Sequence, residues 1–175
     1  MRTLRLALIG TVILVLLGGL GGAALAQMDA DADAVYTTLV SLDPVSADTG
    51  SVLETDTLYS SRDGTLVGVQ EWTDPRMSGE ATTTFHVDVD LDTGQGLMWG
   101  TVRLENDGGT WEGPFNGMVY EPPGEDGLYM NAGWMTGDGD YAGYTFYWEE
   151  HGEQNGGPIS ALHGVIYKGE PMPAE

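Results

Sequence analysis

Apolar and polar residues alternate on either side of Asn106-Asp107-Gly108-Gly109 throughout residues 97–120, the pattern of two strands joined by a tight turn. Asp-Gly between alternating runs predicts a type I′ hairpin, whose two central residues take positive φ. Centring the turn on Asp107 and Gly108 sets Asn106 opposite Gly109. Counting outward then pairs Leu104 with Trp111, Arg103 with Glu112, Gly100 with Phe115 and Met98 with Gly117. A three-residue loop would pair Arg103 with Gly113 and turn Phe115 toward the polar side, so burial of the aromatic decides against it. Met98, Gly100, Val102 and Leu104 then share an inner face with Trp111, Gly113, Phe115, Gly117 and Val119. Small residues opposite large ones suit a strongly curved sheet.

The period of two recurs. Residues 82–92 carry Phe85, Val87, Val89 and Leu91 on one face and Thr84, His86, Asp88, Asp90 and Asp92 on the other, a half-buried strand with an acidic outer face. Residues 51–59 and 65–73 read as strands about a turn at Ser60-Ser61-Arg62-Asp63-Gly64. Residues 127–136 and 141–149 flank Gly137-Asp138-Gly139-Asp140, and a turn centred on Asp138 and Gly139 pairs Gly133 with Tyr144 and Trp134 with Gly143. Residues 35–42 alternate weakly, as a first strand or a helical turn that Pro44 ends. In Asp74-Pro75-Arg76, Asp74 caps a turn and Arg76 pairs with a nearby acid. Residues 160–168 form the closing strand.

Eight or nine strands, glycine-rich turns and no window of 3.6-residue period predict an all-β protein: a single antiparallel barrel of about eight strands, with a β-sandwich as the alternative. Met1-Arg2-Thr3-Leu4-Arg5, an uncharged run over 6–20 and Ala24-Leu25-Ala26 follow the order of a secretory signal peptide cleaved before Gln27. The uncharged stretch from Leu6 to Ala26 is also about long enough for a retained anchor, a reading that the glycines at 18, 19, 21 and 22 weaken. The expected organisation is a signal peptide at 1–26, a flexible acidic lead-in at 27–34, a barrel domain at 35–169 and a disordered tail at 170–175. The expected location is secreted or periplasmic.

Charge and composition narrow the partners. Six basic residues against 27 acids give a formal charge of -21, which becomes -23 once Arg2 and Arg5 leave with the leader. Nucleic acid and anionic membrane surfaces are poor partners for such a chain, and stable membrane insertion after cleavage is not expected. One lysine, Lys168, against so many acids fits adaptation to high salt, as it fits a proteome with little lysine. The chain has no cysteine, so packing of its 5 Trp, 8 Tyr and 3 Phe must hold the fold.

Candidate chemistry is sparse. The three histidines are not spaced as metal ligands. Asp88, Asp90 and Asp92 match the first half of a calcium loop, but Thr93 stands where Gly is required and Trp99 where the bidentate Glu belongs. They read as a solvated strand face. Glu149-Glu150-His151-Gly152-Glu153 reads as a solvated acidic loop. His163 shares a face with Ala161, Val165 and Tyr167 and reads as a hydrogen-bonded core histidine ahead of a ligand contact. No nucleophile elbow, phosphate loop or dinucleotide fingerprint occurs. No catalytic, ligand-binding or metal-ligating residue is singled out, and no metal or cofactor is expected.

Gly137-Asp138-Gly139-Asp140-Tyr141-Ala142-Gly143 resembles the Gly-x-Gly-x-aromatic-x-Gly turn of allene oxide cyclase and dirigent barrels. The block from Trp99 to Asn106, with Gly109-Thr110-Trp111-Glu112-Gly113, is similar to uncharacterised secreted bacterial proteins with that kind of barrel. The resemblance implies an eight-stranded barrel whose apolar cavity steers a reactive small molecule, without a cofactor and often as a trimer. No functional residue of those families matches one by one. Three functions follow in order: a secreted barrel binding a small apolar or aromatic molecule, a structural or surface interaction protein, and a cofactor-free isomerase or cyclase. They predict, respectively, a cavity lined by aromatics, a packed interior with exposed aromatic patches, and polar groups converging on one cavity wall.

Overall fold

The computed structural model describes residues 34–121, 127–153 and 159–171. The expected signal peptide, the lead-in before Ala34 and residues 172–175 of the tail lie outside them. The alternating runs form nine strands: β1 (Ala34–Asp48), β2 (Ser51–Glu54), β3 (Leu58–Trp72), β4 (Gly79–Asp90), β5 (Gln95–Asn106), β6 (Gly109–Tyr120), β7 (Leu128–Gly139), β8 (Tyr144–Glu153) and β9 (Ile159–Lys168). They make one antiparallel sheet in the order β1-β9-β8-β7-β6-β5-β4-β3-β2, and a β1–β3 pairing closes eight of them into a ring. The all-β barrel, not the sandwich, is the architecture. Among the described residues the only helix is a 3-10 turn, Pro75–Met77.

Closure depends on β1. Ala34 through Thr38 pair with Tyr167 through His163 of β9, and from Leu39 onward the strand lies against β3. Because β4 holds the other edge of β3, β1 and β2 share one edge end to end, joined through Gly50 at φ 68°. Pro44 does not end the strand as expected. β1 continues to Asp48 with a bulge between Pro44 and Ser46, where it has left β9, so a residue without an N–H is tolerated.

The central hairpin has the predicted register, with Leu104 opposite Trp111, Arg103 opposite Glu112 and Gly100 opposite Phe115. Its turn differs from the type I′ expectation: the positive φ falls on Gly109, at 144°, not on Asp107 or Gly108. Asn106 Oδ1 accepts from the Gly108 N–H at 3.0 Å and supplies the turn.

Two expected turns are corrected. Asp63-Gly64 is no hairpin: β3 runs through it, with Arg62 and Asp63 both opposite His86 in a bulge. Asp63 takes the left-handed φ of 57°, its N–H donates to His86 Nδ1 at 3.2 Å, and Gly64 lies under the Phe85 ring. The ladder with β4 therefore holds on both sides of the bulge, and the chain instead reverses at residues 55–57 between β2 and β3. In the third hairpin β7 follows β6 as far as Gly139, opposite Gly109, and the reversal falls at residues 140–143. Gly133 pairs with Trp148 and Trp134 with Tyr147, not with Tyr144 and Gly143. The cause is Tyr141, buried with its ring stacked 5.1 Å from Trp111 and its hydroxyl donating to Asn106 Oδ1 at 2.6 Å.

That contact belongs to a plug. Asp74 accepts from the Arg76 N–H at 3.0 Å and holds its guanidinium at 2.7 Å, the cap and ion pair expected of this segment. The turn drives Met77 into the ring beside Trp72, Leu104, Trp111, Phe146 and Ile166. Arg76 O accepts from Trp111 Nε1 at 2.9 Å and from Asn106 Nδ2 at 3.1 Å, tying plug to wall. A second apolar layer, Tyr59, Val87, Val89 and Val119, lies toward the opposite end.

Candidate functional site

Alternation along β7 and β8 decides what faces inward at the end away from the plug. Met135, Gly133, Asn131 and Tyr129 share one face of β7; Phe146, Trp148, Glu150 and Gly152 share one face of β8. Register sets Asn131 against Glu150 and Tyr129 against Gly152, and the missing Cβ of Gly152 leaves room for the Tyr129 ring. Tyr129 donates from its hydroxyl to Glu150 Oε1 at 3.2 Å. Asn131 Nδ2 donates to Glu150 Oε2 at 3.3 Å and lies 3.9 Å from Met98 Sδ. Two buried polar atoms here, Asn131 Oδ1 and Trp148 Nε1, have no hydrogen-bond partner among the described residues. Trp148 and Glu150 are alternate residues of one strand, about 7 Å apart.

The electrostatics of this corner favour neutral groups. Loss of solvation holds the Glu150 carboxyl above its ordinary value of 4.5, against the opposing effect of the hydrogen bonds from Asn131 and Tyr129. Once protonated, that carboxyl is a donor of the kind Asn131 Oδ1 lacks. Burial, and then the charge of Glu150, push the Tyr129 phenol far above its ordinary value of 10.0. Burial also raises Tyr59, with the charges of Glu54 and Glu121 adding to it against a hydrogen bond with Ser61. Glu121, which follows β6, is raised by desolvation alone. A carboxyl, phenols and a carboxamide set in apolar walls can hydrogen-bond a neutral polar group or exchange a proton with it.

The residues considered from sequence lie elsewhere. His163 does not face the core: Leu162, Gly164 and Ile166 supply the inner face of β9, and His163 sits outside, 3.8 Å from Glu149 Oε2 and beside Tyr36. Residues 149–153 are not a loop but the end of β8, which turns Glu150 inward. Asp88 holds Arg62 at 2.8 Å, and Asp90 caps the following turn by accepting from the N–H groups of Asp92 and Thr93 at 2.9 Å. Among the described residues no three His, Asp or Glu side chains are grouped to hold a metal ion. A shallow groove on the outer face, bordered by Thr101, Arg103, Glu112, Pro114 and Thr136, has its one cation occupied by Glu105 and Glu112. Tyr129 and Asn131 were not singled out from sequence, and Glu150 was read only as part of a solvated acidic loop, although alternation from Phe146 through Trp148 reaches it.

These features define a closed antiparallel barrel, plugged at one end, with a carboxyl, phenol and carboxamide cluster in the apolar wall near the other. No protein-family model, curated protein or solved structure matches the chain.

Proposed function

We propose that the barrel binds a small apolar or aromatic molecule without a cofactor, holding one neutral polar group of it at Tyr129, Asn131 and Glu150. The observation that carries this reading is the pair of buried polar atoms without a partner among the described residues, Asn131 Oδ1 and Trp148 Nε1, beside a carboxyl that burial favours in its neutral form. Apolar sites with a few convergent polar groups are the usual form of small-molecule sites. Titrating the protein with a neutral aromatic probe, N-phenyl-1-naphthylamine, and following tryptophan emission tests it. Saturable binding is expected, and competing ligands with a hydroxyl or carbonyl should lose about tenfold in affinity in Asn131→Leu relative to their hydrocarbon isosteres. No saturable binding, or equal losses for both ligand sets, would overturn it.

A cofactor-free isomerase or cyclase is the second reading, favoured by the convergence of the three polar side chains on one wall, β7 and β8. The hairpin resemblance to allene oxide cyclase points the same way. Turnover of a bound ligand, lost in Glu150→Gln while binding persists, distinguishes it from simple binding. We place this activity outside the cytoplasm, on the order of the basic, apolar and small-residue segments at 1–26. Mass spectrometry of exported protein should give an N-terminus near Gln27, and an intact Met1 would refute export with cleavage.

A further inference from the structure

Sheet register joins side chains on the outer wall that their spacing along the chain does not. Met118 of β6 pairs with Met130 of β7, and Met130 pairs with His151 of β8. Their neighbours in sequence, Val119 and Asn131, are buried and Glu150 faces inward, so the three point outward. Met118 and Met130 are 63% and 56% exposed, whereas Met77 and Met135 fill the core. Directly opposed residues have Cβ atoms about 4.5–5.5 Å apart, which sets Met118 and His151 on either side of Met130, roughly 10 Å from each other. A methionine or imidazole side chain spans half of that distance with a coordinate bond of about 2.0–2.3 Å. Opposite His151 on β9 stands Ala161, too small to cover the ring.

We propose that Met118, Met130 and His151 bind one soft monovalent cation, Cu(I) or its congener Ag(I), in a three-coordinate site on the outer wall. The donor set names the ion. Thioether sulfur is polarisable and uncharged and selects Cu(I), and imidazole suits copper as well, whereas Mg, Ca and Mn ions take carboxylate, carbonyl and water oxygens. Zinc draws four ligands from Cys, His, Asp and Glu, and this trio contains one. The outward carboxylate two residues back on β8, Glu149, accepts from the Tyr147 hydroxyl at 2.7 Å and lies 3.8 Å from His163 Nε2. Three neutral donors therefore remain, a set that suits a single positive charge. A formal charge of -21 draws cations of every kind toward the chain, and the sulfur atoms supply the selectivity. The expectation of no metal rested on histidine spacing, which does not register thioethers brought together by three consecutive strands.

Titrating the folded protein, carbon-13 labelled at its methionine methyl groups, with silver nitrate in chloride-free buffer tests the proposal. Ag(I) shares the donor preference of Cu(I) and is stable in air. Two methyl signals, identified by their loss in Met118→Leu and Met130→Leu, are expected to move together and saturate at one ion per chain, with the remaining methionine signals fixed at that ratio. Either substitution, and His151→Gln, should weaken binding by about tenfold or more, and zinc nitrate at the same concentration should leave both signals in place. All three side chains point to solvent, and unchanged near-ultraviolet circular dichroism would show that each variant keeps the fold. No saturable shift, shifts spread over all the methionines, undiminished binding in His151→Gln, or an equal response to zinc would each overturn it.

Discussion

The Glu150 carboxyl lies beside a phenol and a carboxamide, with no cation bonded to it among the described residues. Glu150 is held above its ordinary value by loss of solvation, so the folded chain keeps this proton after the unfolded chain has released it. Its contribution to stability is therefore complete below the unfolded value and is lost as pH rises through the folded one. Glu150→Gln keeps a neutral donor and acceptor, so its stability should increasingly exceed that of the native chain as pH rises above the ordinary carboxyl value of 4.5, by about 1.4 kcal/mol for each pH unit over which the native carboxyl resists ionising. Urea denaturation of both proteins at each pH checks this, and parallel stability curves would refute it. Met77, buried in the plug, makes a simpler case. Met77→Ala should lower stability by about 2–5 kcal/mol, since a side chain enclosed by aromatics leaves a cavity when truncated. The polar corner was hidden in the sequence because Glu150 stands in an acidic run, and acids in a row suggest water. Only its parity with Phe146 and Trp148 marks it as inward, and parity becomes informative once β8 is known to continue through Glu153.

At the scale of elements, the reversal at residues 140–143 separates two reasons for a glycine. Gly143 takes φ of 84° with nothing within 4 Å of where a Cβ would stand, so Gly143→Ala should cost about 1 kcal/mol of backbone strain and Gly143→Asn less. Gly108 has no left-handed φ but lies against the Tyr141 hydroxyl and ring. Gly108→Ala must displace that ring from Trp111 and should cost at least twice as much as Gly143→Ala. Equal losses in thermal denaturation would contradict this division. The same contact explains which hairpins were legible. The register from Met98 to Gly117 could be counted because both strands show a clear inner face and a three-residue loop would turn Phe115 out of it. The third hairpin could not, because its loop is set by Tyr141 stacking on Trp111, an aromatic two strands away in the sheet. Asp63-Gly64 misled for a similar reason: a bulge and a turn use the same left-handed residue, and only pairing with β4 on both sides tells them apart.

The whole molecule balances a closed sheet against its own charge. Since a formal charge of -21 repels itself most in the compact state, the melting temperature should rise as sodium chloride is increased from about 0.02 M to about 0.5 M, the range over which the screening length shrinks below the size of the barrel. A flat or falling curve from calorimetry would mean that the acids are spaced too widely to matter. The closed sheet itself was legible from alternation and turn residues, but the strand that closes it was not, because β1 divides its length between β9 and β3. That division sets a timetable. The first described strand completes part of its pairing, Ala34 through Thr38, only with β9, so until β9 has been synthesised the chain can form hairpins but not the ring. Contacts between opposite ends of a sequence make folding slow, in milliseconds to seconds for β-rich chains, and throughout that interval β1 offers an unpaired edge to any neighbouring strand.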